Sequence, residues 1–158
     1  MICLKEGDRA PHFAGIDQDG NTVILEHFIG NMIILFFYPK DGTTGCTAEV
    51  CNLRDNYKTW RDKGFKIMGI STDNSESHRN FIKEYCLPFT LIADTDKRIV
   101  KKYGVREIID KNGVKTEHTL RTTFVISKGG FIEKIIADVD THNHSRQIES
   151  MLRYIPDF

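Results

Sequence analysis

The sequence predicts an α/β protein in which helices flank a central mixed β-sheet. Residues 32–38 are a continuous apolar run, which is typical of a strand covered on both faces. Segments with helical spacing of apolar residues alternate with further short apolar runs along the chain. Turn residues near each end of the chain join neighbouring runs as hairpins, so some strand pairs are expected to be antiparallel.

The first elements are an N-terminal β-hairpin and the central strand. Residues 13–16 and 22–25 flank a polar turn in which Gly20 supplies a positive φ. The apolar strand 32–38 follows. Pro39 ends it, because proline has no N–H to donate to a strand ladder.

The remaining elements alternate between helix and strand. Residues 44–63 place Val50, Leu53, Tyr57 and Trp60 on one face, which predicts one helix that ends at Gly64. The next predicted elements are strand 65–70, helix 76–86, strand 90–92, helix 97–103, strands 122–127 and 131–139, and helix 143–154. Residues 105–120 are polar with one turn signal and are given no element.

The resulting order, βββαβαβαββα, fits one α/β sandwich of thioredoxin-like type. A chain of 158 residues is long enough for one domain with a proper core, so we expect a single domain over residues 1–158. This fold class does not by itself fix a function.

The charge and hydropathy of the chain exclude several classes of partner. Basic and acidic residues number 22 each, so no charge excess draws the chain to nucleic acid or to an anionic membrane. The first residues resemble neither a signal peptide nor a transit peptide, and the longest apolar run is too short to span a bilayer. We therefore expect a cytoplasmic protein, in which four cysteines are buried apolar residues or chemical groups.

Cys46 is the first candidate for chemistry, because it lies where the central strand gives way to a helix. Unpaired N–H groups and the helix dipole favour an anion in the first turn. These features and a nearby arginine lower the pKa of a cysteine from its free value of about 8.5. Pro39 could shield such a thiolate from solvent, and the Thr43 hydroxyl could both donate and accept a hydrogen bond.

Cys51 follows Cys46 by five residues, a spacing that a regular helix cannot bridge. The two residues would be separated by roughly 7.5 Å along the helix axis and by about 140° around it. A disulfide needs Cα atoms closer than about 7 Å and facing Cβ atoms. The pair makes sense if its disulfide is transient and forms when the first turns unwind. Alternatively, Cys46 is a helix-start residue without a role and Cys51 is buried filler.

The run PKDGTTGCTAEVC resembles the active-site signature of peroxiredoxins. Pro39, Thr43 and Cys46 match the Pro-x-x-x-Thr-x-x-Cys pattern of that family. The longer stretch FYPKDGTTGCTAEVCNLRD is similar to the bacterioferritin-comigratory-protein, or Q-type, subfamily. The resemblance continues through GDRAPHF, FKIMGISTDNSESHRNFIKEY and RTTFVISKGGFIEKI, and so covers most of the chain.

This resemblance implies roles for matching residues. Cys46 would be the peroxidatic cysteine, Cys51 the resolving cysteine, and Thr43 the residue that binds the peroxide oxygens. Arg121 would hold the thiolate and polarise the peroxide, and Glu49 would help to position Arg121. Without the resemblance, Arg121 is a solvated charge at a strand end and Glu49 a solvated charge on a helix.

The implied reaction is peroxide reduction through a sulfenic acid and a Cys46–Cys51 disulfide. Thioredoxin would reduce the disulfide, with glutaredoxin as the alternative reductant, and no metal or organic cofactor is required. The subfamily also implies a monomer. The chain departs from the subfamily at Thr44, where proline is usual, and within residues 106–120.

Two other functions use the same cysteines. A redox sensor would engage a partner through the cysteine switch and be recycled slowly by thioredoxin. A thiol–metal module would combine Cys46 and Cys51 with a histidine. Of the histidines, His142 and His144 have metal-tag spacing, but we interpret them as a solvated pair at a helix start. Neither function needs the Pro39, Thr43 and Arg121 context.

Overall fold

The computed structural model describes residues 3–152 and is built around one seven-stranded sheet. The strands are β1 (Ala14–Asp17), β2 (Thr22–Ile24), β3 (Met32–Phe37), β4 (Phe65–Ser71), β5 (Thr90–Ala93), β6 (Arg106–Lys111), β7 (Val114–Thr119), β8 (Thr122–Ile126) and β9 (Ile132–Ile136). The helices are α1 (Thr44–Asp55), α2 (Tyr57–Asp62), α3 (Ser75–Tyr85), α4 (Arg98–Lys102) and α5 (His144–Leu152), with a 3-10 helix at Leu25–Phe28.

The sheet has the strand order β2-β1-β5-β4-β3-β8-β9. Strand β4 pairs in parallel with both β3 and β5, whereas the other pairs are antiparallel. The predicted fold class is therefore confirmed: the sheet is mixed, helices flank it, and β1 and β2 form the N-terminal hairpin.

Strand β3 explains why the sheet has helices on both faces. All six of its residues are buried, and successive side chains point to opposite faces. Ile34 and Phe36 join the core beneath α1, α3 and α5, whereas Ile33 and Leu35 join the core that contains α4. Because β3 packs against a core on each face, its position is fixed, and so is the starting point of the loop that leads from β3 to α1.

The predicted helix 44–63 is interrupted, and this boundary was wrong. Helix α1 ends at Asp55 and α2 begins at Tyr57, with Asn56 between them at φ −106° and ψ 7°. The Asn56 Nδ2 atom donates to the Asn52 carbonyl at 2.8 Å, a local side-chain bond that competes with the helical ladder.

Residues 105–120, which were given no element, contain a β-hairpin. Strands β6 and β7 pair over six residues and form a sheet of their own. Asn112 (φ 54°) and Gly113 (φ 80°) make the turn, and positive φ at both central residues is characteristic of a type I′ hairpin. The strands lack the alternation that predicts a half-buried strand, because nearly all of their side chains are at least partly exposed.

The helices are short, and α1 is 12 residues long. Within residues 3–152, none is both long enough and apolar enough to cross a membrane. Helix α5 was predicted over residues 143–154 and is observed from His144 to Leu152; positions 153 and 154 lie outside the described residues.

Candidate active site

Cys46 is the third residue of α1, as the sequence predicted, and its exposed fraction is 0%. Thr43 is the N-cap residue, with extended backbone, and its carbonyl accepts from the Thr47 N–H at 2.9 Å. The helix therefore starts just before Cys46. The Cys46 N–H is one of the first N–H groups of the helix, which have no helical carbonyl group four residues earlier to bond. This environment favours a negative charge on sulfur.

Arg121 supplies the nearest cation. The sheet register pairs its neighbour Thr122 with Phe37, which places Arg121 beside the chain that leaves β3. Its Nη2 atom donates to Cys46 Sγ at 3.4 Å, and its Nη1 atom donates to Glu49 Oε1 at 2.8 Å. One guanidinium group thus binds two residues that lie one helical turn apart on α1.

The Arg121–Glu49 pair is largely removed from water. The side chain of Glu49 is fully buried, whereas that of Arg121 is 22% exposed. Burial raises the pKa of Glu49 from 4.5 to about 7, although Arg121 acts in the opposite direction. Burial also disfavours the charge on Arg121, but Cys46 and Glu49 outweigh it, and the pKa of Arg121 is raised.

Gly45 allows this close approach. A Cβ atom at this position would lie 3.0 Å from Arg121 Nη2, which is tighter than most side-chain contacts in proteins. Glycine is otherwise unfavourable inside a helix by roughly 0.5–1 kcal/mol relative to alanine. The sequence Thr-Gly-Cys therefore exchanges some helix stability for room beside the thiol.

Pro39 and Thr43 lie on the loop between β3 and α1, beside a surface cavity. They line a cavity of about 370 Å³ whose other lining residues are Lys40, Thr72, Lys97, Val100, Arg106, Glu117, His118 and Thr119. The Thr43 hydroxyl donates to the Lys40 carbonyl at 2.9 Å, which leaves its oxygen lone pairs available as acceptors. The hairpin β6–β7 supplies one wall of this cavity.

Cys51 lies two helical turns from the start of α1 and is partly buried against the core. Helix α1 is continuous between Cys46 and Cys51, and both are free thiols. The roughly 7.5 Å rise between residues five apart means that the two sulfurs cannot bond in this conformation.

The loop between β3 and α1 is held by a second buried network that the sequence did not reveal. The Asp41 carboxylate accepts from the Tyr38 hydroxyl at 2.6 Å and lies 2.7 Å from His78 Nδ1. The Asp41 N–H donates to Asp73 at 2.8 Å. Ser77, in the first turn of α3, also donates to Asp41. These bonds fix the backbone that precedes Thr43.

Asp41, Asp73 and His78 place one potential metal ligand each within 4.8 Å of one another. Among residues 3–152, this is the one cluster of at least three His, Cys, Asp or Glu side chains that could hold a metal ion, and it contains neither Cys46 nor Cys51. Its atoms already hydrogen-bond to protein groups. The alternative of a thiol–metal module therefore gains no support from the described geometry.

His144 was wrongly predicted to be solvated, since it is fully buried behind Glu49. Its Nε2 atom lies 3.6 Å from Glu49 Oε2 and 2.7 Å from the Thr123 hydroxyl. Burial lowers the pKa of His144 from 6.5 to about 4, so the ring is neutral near pH 7. The sequence contained a signal for this burial. Ile148 and Leu152 are four residues apart on the buried face of α5, and His144 lies on the same face because it is four residues before Ile148.

Comparison with known proteins identifies the family. The AhpC/TSA family model matches residues 6–135. Peroxiredoxin Bcp of Escherichia coli strain K12 is 37% identical over 153 residues, covering 97% of this chain and 98% of its relative.

Two solved structures share the fold. Peroxidoxin BcpB of Mycobacterium tuberculosis has a TM-score of 0.85 at 28% identity and covers 98% of this chain and 99% of its own. Peroxiredoxin Q of Xanthomonas campestris has a TM-score of 0.84 at 26% identity, with 89% of each chain covered. The chain therefore belongs to the AhpC/TSA family, as a thiol-dependent peroxidase of the Bcp/peroxiredoxin Q group.

Proposed function

We propose that Cys46 is the nucleophile that attacks the peroxide. The observation that carries this assignment is the contact of Arg121 Nη2 with Cys46 Sγ at 3.4 Å, at the start of a helix. Both features favour the thiolate, which is the reactive form of cysteine. Sγ forms a bond to one peroxide oxygen as the O–O bond breaks, and the departing oxygen takes a proton and leaves as water or an alcohol.

Arg121 and Thr43 bind the peroxide on either side of Cys46 in this proposal. The Arg121 guanidinium stabilises the negative charge that develops on the departing oxygen. The Thr43 hydroxyl orients the second oxygen, and Pro39 limits the access of water from the cavity. Glu49 holds Arg121 in place through its 2.8 Å bond to Nη1.

The resulting sulfenic acid is resolved by Cys51. Condensation of the Cys46 sulfenic acid with the Cys51 thiol forms the disulfide and releases water. Because α1 separates the two sulfurs, its first turns unwind before the bond can form. Thr44, where related sequences have proline, removes one constraint on the first turn.

The disulfide is returned to two thiols by exchange with an external dithiol. We assign this step to thioredoxin, with glutaredoxin as the second candidate, and require no metal or organic cofactor. A reducing cytoplasm matches the free thiols of Cys46, Cys51 and Cys86. We further propose one domain over residues 1–158 and a monomer. The exposed large apolar side chains within the described part of the chain are few: Ile16, Ile29, Ile108, Val114 and Phe131.

Three single serine variants test these roles, with Cys86 as the matched control because it is an exposed free thiol just after another helix, α3. Cys46→Ser should abolish oxidation by hydrogen peroxide. Cys51→Ser should keep the first oxidation but lose turnover supported by thioredoxin, whereas Cys86→Ser should retain both.

Peptide mass after one equivalent of hydrogen peroxide gives a direct readout. The wild-type protein should lose two hydrogens through a Cys46–Cys51 crosslink. Full thioredoxin-supported turnover in Cys51→Ser would refute the resolving role of Cys51. Slow recycling of a wild-type protein that is oxidised at Cys46 would favour the redox-sensor function instead.

A further inference from the structure

The loop between β3 and α1 contains one peptide group that is hydrogen-bonded through both its N–H and its carbonyl. It joins Lys40 to Asp41. Its N–H, on Asp41, donates to Asp73 Oδ2 at 2.8 Å, and its carbonyl, on Lys40, accepts from the Thr43 hydroxyl at 2.9 Å. The group is trans and planar, so its N–H and its carbonyl point in opposite directions. Asp73 and Thr43 are therefore bonded to opposite sides of one rigid unit.

Asp73 is itself held by the central sheet. The Ser71 hydroxyl donates to Asp73 Oδ2 at 2.8 Å and accepts from the Asp73 N–H at 3.2 Å. Ser71 is fully buried at the end of β4, which lies between β3 and β5 in the sheet. Hydrogen bonds to a carboxylate are about twice as strong as those between neutral groups. The direction of the loop peptide group is thus set by a residue that the sheet fixes.

The Asp41 side chain holds the same part of the loop in a different way. Its carboxylate accepts from the Tyr38 hydroxyl at 2.6 Å and lies 2.7 Å from His78 Nδ1. These contacts fix the position of Asp41, but a planar peptide group can still turn about the line that joins its two Cα atoms without moving either of them. The bond to Asp73 opposes this rotation at the N–H, and the bond from Thr43 opposes it at the carbonyl.

This arrangement decides what the Thr43 hydroxyl can offer to a peroxide. A hydroxyl group has one hydrogen to donate and two lone pairs. The hydrogen is committed to the Lys40 carbonyl, which is a better acceptor because the N–H of the same peptide group is bonded to a carboxylate. Thr43 lines the cavity and therefore presents lone pairs, which accept from the O–H of a hydroperoxide. The oxygen that carries this hydrogen is the one that remains on sulfur in a sulfenic acid.

We propose that Asp73 is a positioning residue for the peroxide step: by holding the peptide N–H of Asp41, it keeps the Thr43 hydroxyl turned to accept from the peroxide O–H. Cys46 Sγ then bonds to the oxygen that carries this hydrogen as the O–O bond breaks. The other oxygen takes a proton from solvent and leaves as water or an alcohol. This role rests on the proposed function of Cys46 and Thr43, and it adds a residue that lies outside the active-site run.

The peroxide step can be measured alone in the Cys51→Ser background, where oxidation of Cys46 stops at the sulfenic acid. Intact mass after rapid mixing with hydrogen peroxide gives the second-order rate constant. Asp73→Ala should lower this rate constant about tenfold, the loss expected for one hydrogen bond to the substrate. Asp73→Asn keeps an acceptor oxygen for the Asp41 N–H, so its rate constant should stay within about threefold of the parent protein.

Alkylation of Cys46 by iodoacetamide separates this role from a general effect on the thiol. That reaction needs the thiolate but no hydroxyl group to orient the reagent, so its rate at Cys46, read from peptide mass, should be unchanged in Asp73→Ala. Equal losses in the alkylation and peroxide rates would overturn the inference.

Asn74→Ala is the matched control on the neighbouring residue. Asn74 is the N-cap of α3, and its Oδ1 atom accepts from the Ser77 N–H at 2.8 Å. Loss of this cap should lower the urea midpoint but leave the rate constant of the peroxide step unchanged. A loss in Asn74→Ala as large as that in Asp73→Ala would show that reduced stability slows the reaction, and would overturn the inference.

Thr43→Val tests whether Asp73 acts through the hydroxyl. Valine keeps the shape of the side chain, and because Thr43 makes no side-chain cap bond, the substitution removes none from α1. In this background Asp73→Ala should slow oxidation no further, since no hydroxyl remains to be directed. The same loss in both backgrounds would show that Asp73 acts through the packing of the loop, and would overturn the inference.

Near-ultraviolet circular dichroism of each variant establishes that it is folded. If Asp73→Ala does not fold, Ser71→Ala takes its place, because it removes the hydroxyl that holds Asp73 Oδ2. A slower peroxide step at an unchanged rate of alkylation supports the inference, and an unchanged peroxide step overturns it. If Cys46 gains no oxygen at all, the proposed function fails and this inference with it, whereas oxidation that these variants do not slow overturns the inference alone.

Discussion

Asn52→Ala should speed the formation of the Cys46–Cys51 disulfide. Asn52 follows Cys51 on α1 and connects this helix to the start of α5. Its Oδ1 atom accepts from the Ser145 N–H at 2.8 Å, and its Nδ2 atom donates to the His142 carbonyl at 2.9 Å. Both bonds oppose any movement of this half of α1 away from α5.

The size of the effect follows from these two hydrogen bonds. Each contributes about 1 kcal/mol net, so alanine should lower the free energy of local opening by about 2 kcal/mol. An energy of 2 kcal/mol corresponds to a roughly 30-fold larger opened population at 25 °C. If the half of α1 that carries Cys51 must also move from α5 for the two sulfurs to meet, the rate of disulfide formation should rise by up to about the same factor.

The assay is a single turnover with one equivalent of hydrogen peroxide, quenched with acid and read by intact mass. The loss of the sulfenic acid should be faster in Asn52→Ala, and the free energy of unfolding by urea should fall by about 2 kcal/mol. Asn31→Ala is the matched control, because Asn31 Nδ2 donates to the Phe28 carbonyl at 3.1 Å, on other elements of the fold. If Asn52→Ala is less stable but forms the Cys46–Cys51 disulfide at the wild-type rate, opening of the contact between α1 and α5 does not limit disulfide formation, and the reasoning is refuted.

Two further variants probe the environment of Arg121. Gly45→Ala should slow oxidation of the thiol by between about tenfold and a hundredfold, because the new Cβ displaces Arg121, while the urea midpoint changes little. Peroxide kinetics at unchanged stability would check this, and wild-type kinetics would contradict it. Glu49→Gln should gain stability relative to wild type as pH rises from 4.5 to about 7. The folded protein raises the pKa of Glu49, so binding a proton to this carboxyl group stabilises the wild-type fold below pH 4.5, and this stabilisation is lost by about pH 7. The difference in the free energy of unfolding between the two proteins should therefore change by about 3 kcal/mol. Urea unfolding at pH 4.5 and 7.5 measures this, and a pH-independent difference between the two proteins would contradict it.

The sequence was sufficient to predict those elements whose buried faces leave a regular pattern of apolar residues. The run at β3 and the spacing of Val50, Leu53 and Trp60 are direct consequences of burial, and they predict the sheet and α1. The resemblance also selected Arg121 and Glu49, which lie together beside Cys46 although they are 72 residues apart in sequence.

The sequence was insufficient where a polar group is buried. His144 and Asp41 look like surface residues by type, and their burial depends on partners from distant elements. The hairpin β6–β7 was missed for the opposite reason: it buries little, so its sequence carries no alternating pattern. The break at Asn56 depends on one local side-chain bond that periodicity does not record.

Because the β6–β7 hairpin lies outside the main sheet, the residues that break the peroxide bond and the residues that form the cavity wall belong to different parts of the fold. The thiol and Glu49 are carried by α1, and Arg121 directly precedes β8 of the main sheet. The far wall of the cavity is carried by a ribbon outside that sheet, which is tied to the start of α4 by the ion pair of Glu117 with Lys97, the residue just before this helix. Exposed ribbon positions can therefore change in evolution at little cost to folding or to the bond-breaking step. Related chains could acquire different preferences for peroxide size and charge while the chemistry at Cys46 stays the same.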